Sequence, residues 1–330
     1  MRILVVGAGA VGQVYGHLAA LGGAEVSVYV RPGRRAEARA GYEIVRVPLF
    51  GARRRERFEP VGVLTSAAEL AAAPSFDALW CCVATPALED AWVRALAEAS
   101  GKATFLSFQP GLGVRERLAA HFAAERLLTR TIPFVAGHSP LPGSRDPREQ
   151  LEGMSVLFPP GAQARLSGAS ERRVLEQITL LRRGGLDAAL SRAAEADGAA
   201  GTAVLMPMVA CLELADWKLA KLGEPEHASR FRSAAHEALA VTSHETGRDL
   251  PPLDLLIQPP LLRLAAVLGP RVMPLDLETY LEVHFSKVGD QTVKVIDDLI
   301  GRAVAASLPC GALRDLAARL ATRRRASEAE

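Results

Sequence analysis

The feature that most constrains this chain lies at its start. Ile3 to Val6 is an unbroken apolar run, the mark of a buried parallel strand. Gly7-Ala8-Gly9-Ala10-Val11-Gly12 follows at once, Gln13 to Leu21 reads as a helix, and Gly22-Gly23 ends it. Glu25 to Arg31 then alternates through Val26, Val28 and Val30 as a second strand. A strand, a glycine turn, a helix and a strand within about thirty residues form the context in which GxGxxG signifies dinucleotide binding. The fold class that follows is α/β, a doubly wound parallel sheet of the Rossmann type.

Each residue type in that turn has a physical job. Gly7 permits the tight turn, Gly9 lets backbone approach a diphosphate, and Gly12 lets the helix pack closely. The N–H groups of Ala8, Ala10 and Val11 open the helix, where free donors and the helix dipole favour phosphate. The end of the second strand selects the cofactor. An acidic residue there would bind a ribose 2′-hydroxyl. This chain has Arg31-Pro-Gly-Arg34-Arg35 instead, and a guanidinium suits a 2′-phosphate. NADPH is the expected cofactor, although in a chain with 34 Arg and five Lys a solvated basic turn is the plain alternative.

Further strands are expected at Tyr42 to Val47, Ala78 to Val83, Thr104 to Phe108, Met154 to Phe158 and Ala164 to Leu166. Helices are expected at Ala87 to Ala99, Val114 to Ala124 and Glu171 to Arg183, with a Pro- and Gly-rich loop from His138 to Arg148. After residue 190 strand signals vanish and helical periodicity continues to Ala321, ahead of a charged, frayed tail. The expected domains are therefore residues 1–190, a dinucleotide-binding domain, and 191–330, an all-helical domain for substrate and dimerisation. At 330 residues and net charge +2, the chain fits two domains, and its charge gives no reason to expect nucleic acid. Its four cysteines have no zinc or disulfide spacing, so no metal is expected. No apolar run suggests a membrane span or a signal peptide, and a cytoplasmic location is the default expectation.

A Rossmann domain with Arg after its second strand and a helical second domain resembles the ketopantoate reductase family. The resemblance rests on Gly7 to Gly12 with Val30-Arg31, on Asp77 to Ala84, and on Ser107-Phe-Gln-Pro-Gly-Leu-Gly113, which is similar to that family's Leu-Gln-Asn-Gly-x-Gly turn. It implies that Val83, Ala84 and Pro110 lie near the nicotinamide. The departures are as informative. Ala84 stands where the family has a Lys, and Pro110 stands for its Asn. Gly198 aligns with its catalytic Lys, and Thr202 and Met206 with its Asn ligands. No Lys occurs between Lys102 and Lys218. The resemblance thus implies a divergent reductase that does not act on ketopantoate.

The missing proton donor is sought on the stretch Asp276 to Ala306, read as one helix. Leu277, Leu281, Val288, Val295 and Leu299 define a buried stripe. His284, Lys287 and Gln291, at i, i+3 and i+7, fall within or beside it. Burying polar groups is costly without partners or a cleft. The expected roles are Lys287 or His284 as proton donor, with a Lys pKa lowered by burial, and Gln291 as an orienting group. An interhelical hydrogen-bond network is the alternative. The expected function is NADPH-dependent reduction of a carbonyl or imine in a small metabolite. The alternatives are an opine-dehydrogenase-like condensation and a non-catalytic cofactor-binding sensor. A homodimer is expected.

Overall fold

The computed structural model describes residues 1–88, 90–109, 111–144, 150–287 and 289–328. Its chain divides into two compact units, one of Met1–Pro140 with Pro147–Glu195, the other of Leu141–Asp146 with Ala196–Glu330. The first unit runs β1 (Arg2–Val6), α1 (Ala10–Leu21), β2 (Glu25–Tyr29), α2 (Arg35–Ala40), β3 (Tyr42–Arg46), β4 (Arg54–Phe58), β5 (Gly62–Leu64), α3 (Ala67–Ala72) and β6 (Ala78–Cys81). It continues with α4 (Asp90–Ala99), β7 (Thr104–Ser107), α5 (Val114–Ala119), β8 (Leu127–Arg130), β9 (Val135–Ser139), β10 (Gly153–Leu157), β11 (Ala164–Gly168), α6 (Glu171–Arg183) and β12 (Ala188–Leu190).

Eight strands form the main sheet in the order β12-β11-β8-β7-β6-β1-β2-β5. From β8 to β5 all neighbours are parallel, with β1 at the point where the strand order reverses. The period of two explains its two cores. Ile3, Val5, Trp80, Leu106 and Leu128 face one side, which α1 and α6 cover. Leu4, Val6, Leu79, Cys81, Phe105 and Leu127 face the other. Trp80 Nε1 donates to the buried Gln177 Oε1 at 2.8 Å, so α6 is tied to the sheet by a satisfied buried pair.

A second sheet, in the order β4-β3-β10-β9, was not anticipated. It packs on α1 from the opposite side, where His17 Nε2 lies 2.7 Å from Glu56 Oε2. The segment that forms β4, Arg54-Arg-Glu-Arg-Phe58, is nearly all charged and becomes a strand through its antiparallel ladder with β3. The expected loop over His138 to Arg148 is likewise corrected. Val135–Ser139 is β9, paired to β10, so His138 is on an exposed strand position; residues 145–149 lie outside the described residues. Strand β8 also escaped the reading, and the helix expected to Ala124 ends at Ala119.

The second unit is helical: α7 (Ala194–Leu214, its first two residues in the first unit), α8 (Leu219–Leu222), α9 (Pro225–Thr246), α10 (Pro259–Val272), α11 (Leu277–Lys287), α12 (Gly289–Ala305) and α13 (Gly311–Glu328). Two expected breaks become helix starts, because Pro225 and Pro259 occupy first-turn positions that need no N–H donor. The tail expected to fray continues α13 to Glu328. Helix α7 is long and apolar enough in composition to cross a membrane, contrary to the sequence reading, and 56% of that stretch is buried, as in a core helix.

Candidate functional site

The glycine turn is built as its residue types require. Gly7 takes φ +92°, and its N–H donates to Tyr29 O at 2.9 Å, closing β1 onto β2. A Cβ on Gly12 would stand 1.9 Å from Gly7 O, so only glycine lets α1 start this close to the strand. Gly9 differs: a Cβ there would meet nothing within 4 Å. Among the described residues no atom claims the space in front of Gly9, which is exposed and caps α1. Helix α1 has neither a side-chain cap nor an acidic residue in its first turn. Its opening N–H groups are therefore left for an anion, and the turn fits a dinucleotide diphosphate.

The three arginines after β2 are not equivalent. Arg34 pairs with Glu37, and Arg35 with Glu69 and Thr65 Oγ1. Arg31, exposed at the strand end, makes no side-chain hydrogen bond or ion pair among the described residues. Arg34 lies nearby in a solvent-screened pair.

At the neighbouring strand ends, Gln109 does what the sequence reading did not assign to it. Its Nε2 donates to Cys81 O at 2.9 Å and to Val83 O at 2.7 Å, and its Oε1 accepts from Ser107 Oγ at 2.7 Å. One side chain thus ties the loop after β6 to the turn after β7. Val83 is half-buried and touches the Gly7 turn, since a Cβ on Gly7 would come 2.8 Å from Val83 Cγ1. Ala84 is exposed. Pro110 lies outside the described residues. Cys81, behind this loop, is buried, which pushes its thiol up to about 12 and leaves it inert.

In the second unit the positions that the resemblance aligns with catalytic groups are chemically quiet. Thr202 is buried, and its hydroxyl donates back to Gly198 O at 2.9 Å. Met206 is core. The constellation expected on the later helices needs one correction. Lys287 is exposed at the end of α11, so the buried, desolvated Lys of the sequence reading is absent. Residue 288 of the expected stripe lies outside the described residues. His284 is half-buried, stacked on Tyr280 with ring centroids 5.4 Å apart and edge-on to Phe285. Burial, and then the positive charge of Lys287, hold its pKa below the ordinary imidazole value. His284 and Lys287 stand one turn apart on α11; Gln291 is half-buried on α12, one residue before the buried Thr292.

Comparison with known proteins agrees with this architecture. Residues 3–144 match the family model described as ketopantoate reductase PanE/ApbA. The chain is similar in fold to 2-dehydropantoate 2-reductase from Geobacter metallireducens, with TM-score 0.69, 18% identity, and coverage of 98% of this chain and 100% of that one. It is equally similar to a PanE/ApbA family ketopantoate reductase from Ralstonia eutropha, at TM-score 0.69, 18% identity and 98% coverage of both chains. A D-mandelate dehydrogenase solved with NADH and anilino(oxo)acetate gives TM-score 0.73 at 13% identity over 99% of each chain. No curated protein matches the chain in sequence. Residues 3–144, under half of the chain, thus resemble the ketopantoate reductase family, and the solved structures, at 13 to 18% identity, share the fold.

Proposed function

We propose that the protein is an NADPH-dependent reductase of a carbonyl or imine in a small metabolite other than ketopantoate. The observation that carries this reading is the uncapped start of α1, open in front of Gly9, with the unpartnered Arg31 at the end of the next strand. Gly7 to Gly12 would hold the diphosphate and Arg31, helped by Arg34, the 2′-phosphate. Val83 and Ala84, held by Gln109, would border the nicotinamide, as would Pro110. NADPH bound there supplies a hydride to the carbonyl or imine carbon.

The chain must then supply a proton to the oxygen or nitrogen that receives the electron pair. Lys287 is assigned that role because it is exposed at the end of α11, one helical turn from a His284 whose pKa burial holds below the ordinary value. Gln291 is assigned to orient the substrate. The absence of a charged group at Gly198, Thr202 and Met206 favours a bulkier and less charged substrate than a compact 2-oxo acid. That a structural neighbour was solved with anilino(oxo)acetate supports a screen that includes aromatic 2-oxo acids.

Calorimetric titration with NADPH and NADH separately is the test. Tight binding with a clear preference for NADPH upholds the reading, and a preference for NADH reassigns Arg31. No binding of either overturns it. The quiet α7 favours a second reading, a cofactor-binding sensor without turnover. Tight NADPH binding, with no oxidation of the cofactor across a panel of carbonyl and imine substrates, would select it.

A further inference from the structure

Arg130 closes β8 with its side chain in the core of the first unit. The period of two along a strand turns it to the side of Leu128, the face that α1 and α6 cover. Only 7% of the residue is exposed. Its guanidinium carbon sits 3.2 Å from the Tyr15 ring centroid and 3.7 Å from that of Phe108, two rings inclined at 82° to each other. Among the described residues no carboxylate pairs with it, and Nε, Nη1 and Nη2 have no hydrogen-bond partner.

The aromatic faces attract the cation but do not use up its donors. A planar guanidinium has five N–H groups and can lie flat on only one of two rings set nearly at right angles. The Tyr15 hydroxyl is also buried and unpartnered. That oxygen lies in the ring plane, at the rim of the ring whose centre the guanidinium covers. One acceptor can therefore reach both a guanidinium N–H and the phenol O–H.

The charge of that acceptor follows from the surroundings. A water molecule would satisfy the donors and leave a full positive charge in the core, whereas an anion removes both costs. A site walled by aromatic rings favours a small ion that sheds its water readily, a halide rather than sulfate or phosphate.

We propose that Arg130 and Tyr15 form an internal site for a small monovalent anion of chloride size, which seats α1 on the end of β8. The proposal is independent of the coenzyme site.

Thermal melting of the full chain, with chloride replacing gluconate at constant ionic strength, is the test, because gluconate is too bulky to enter. The wild-type midpoint is expected to rise by about 2–5 °C in chloride, since an ion that binds only the folded state stabilises it by mass action. Arg130→Met is expected to melt above the wild type in gluconate and to gain nothing from chloride. Tyr15→Phe is expected to gain less than the wild type. A crystal grown in bromide is expected to show an anomalous peak within hydrogen-bond distance of an Arg130 nitrogen. A wild-type midpoint indifferent to chloride would overturn the proposal. So would an equal rise in Arg130→Met, which would assign the effect to the start of α1 and Arg31, and so would bromide peaks confined to other places.

Discussion

The guanidinium carbon of Arg130 lies 3.2 Å from the centroid of the Tyr15 ring and 3.7 Å from that of Phe108. All three guanidinium nitrogens are buried without a hydrogen-bond partner among the described residues, as is the Tyr15 hydroxyl. Burial drives the Arg130 pKa well below its ordinary value, with no carboxylate paired to it among the described residues. Stacking on two rings offsets about 2 kcal/mol of that cost and leaves the N–H donors unsatisfied. Arg130→Met should therefore stabilise the protein by about 1–3 kcal/mol in urea denaturation. A loss of stability would show that the guanidinium makes a favourable interaction that the described contacts lack.

Gly9 and Gly12 should separate binding from folding. Gly12→Ala puts a methyl against Gly7 O, and should cost about 2–4 kcal/mol of stability as well as cofactor affinity. Gly9→Val should leave stability within about 0.5 kcal/mol, because the space before it is open, yet block the diphosphate. Melting and calorimetry on the two variants check the contrast.

Arg31→Ala should weaken NADPH about 10- to 100-fold and leave NADH unchanged, the loss of one charge-assisted contact. The same ratio in Arg34→Ala would shift the assignment to Arg34, whose partner Glu37 competes for it.

Lys287→Met should cut turnover by about 10²- to 10⁴-fold without weakening NADPH. It should also raise the His284 pKa, because one of the two causes lowering it is the Lys287 charge; the imidazole proton resonances read this directly. The sign for stability follows. A histidine with a depressed folded pKa binds fewer protons than its unfolded counterpart, so its contribution is present above the ordinary 6.5 and lost as pH falls through the lower folded value. The loss should shrink in Lys287→Met.

Gln109→Leu removes a side chain that bonds two backbone carbonyls; Cys81 O keeps the Phe108 N–H, while Val83 O loses its donor. The expected cost is about 1–3 kcal/mol of stability, with weaker cofactor binding as the loops loosen. Unchanged affinity would mean that neither loop borders the cofactor.

The start of the chain was legible because its signals are local. The apolar run of β1, the glycines that only a tight turn needs and the alternation of β2 all act within a few residues of one another, and α6 appeared at its expected bounds, Glu171–Arg183. The helical second unit was legible for the same reason. What stayed hidden depends on partners far away in sequence. Arg54–Phe58 is a strand because β3 offers it a ladder, and Gly153–Leu157 joins that sheet across a hundred residues. Pattern alone set Lys287 within or beside a buried stripe; only packing shows it at the exposed end of α11. Among 34 arginines, composition singled out neither the unpartnered Arg31 nor the entombed Arg130. A residue's type determines what it can bond, but its burial and its remaining free valences are set by which distant segments arrive beside it.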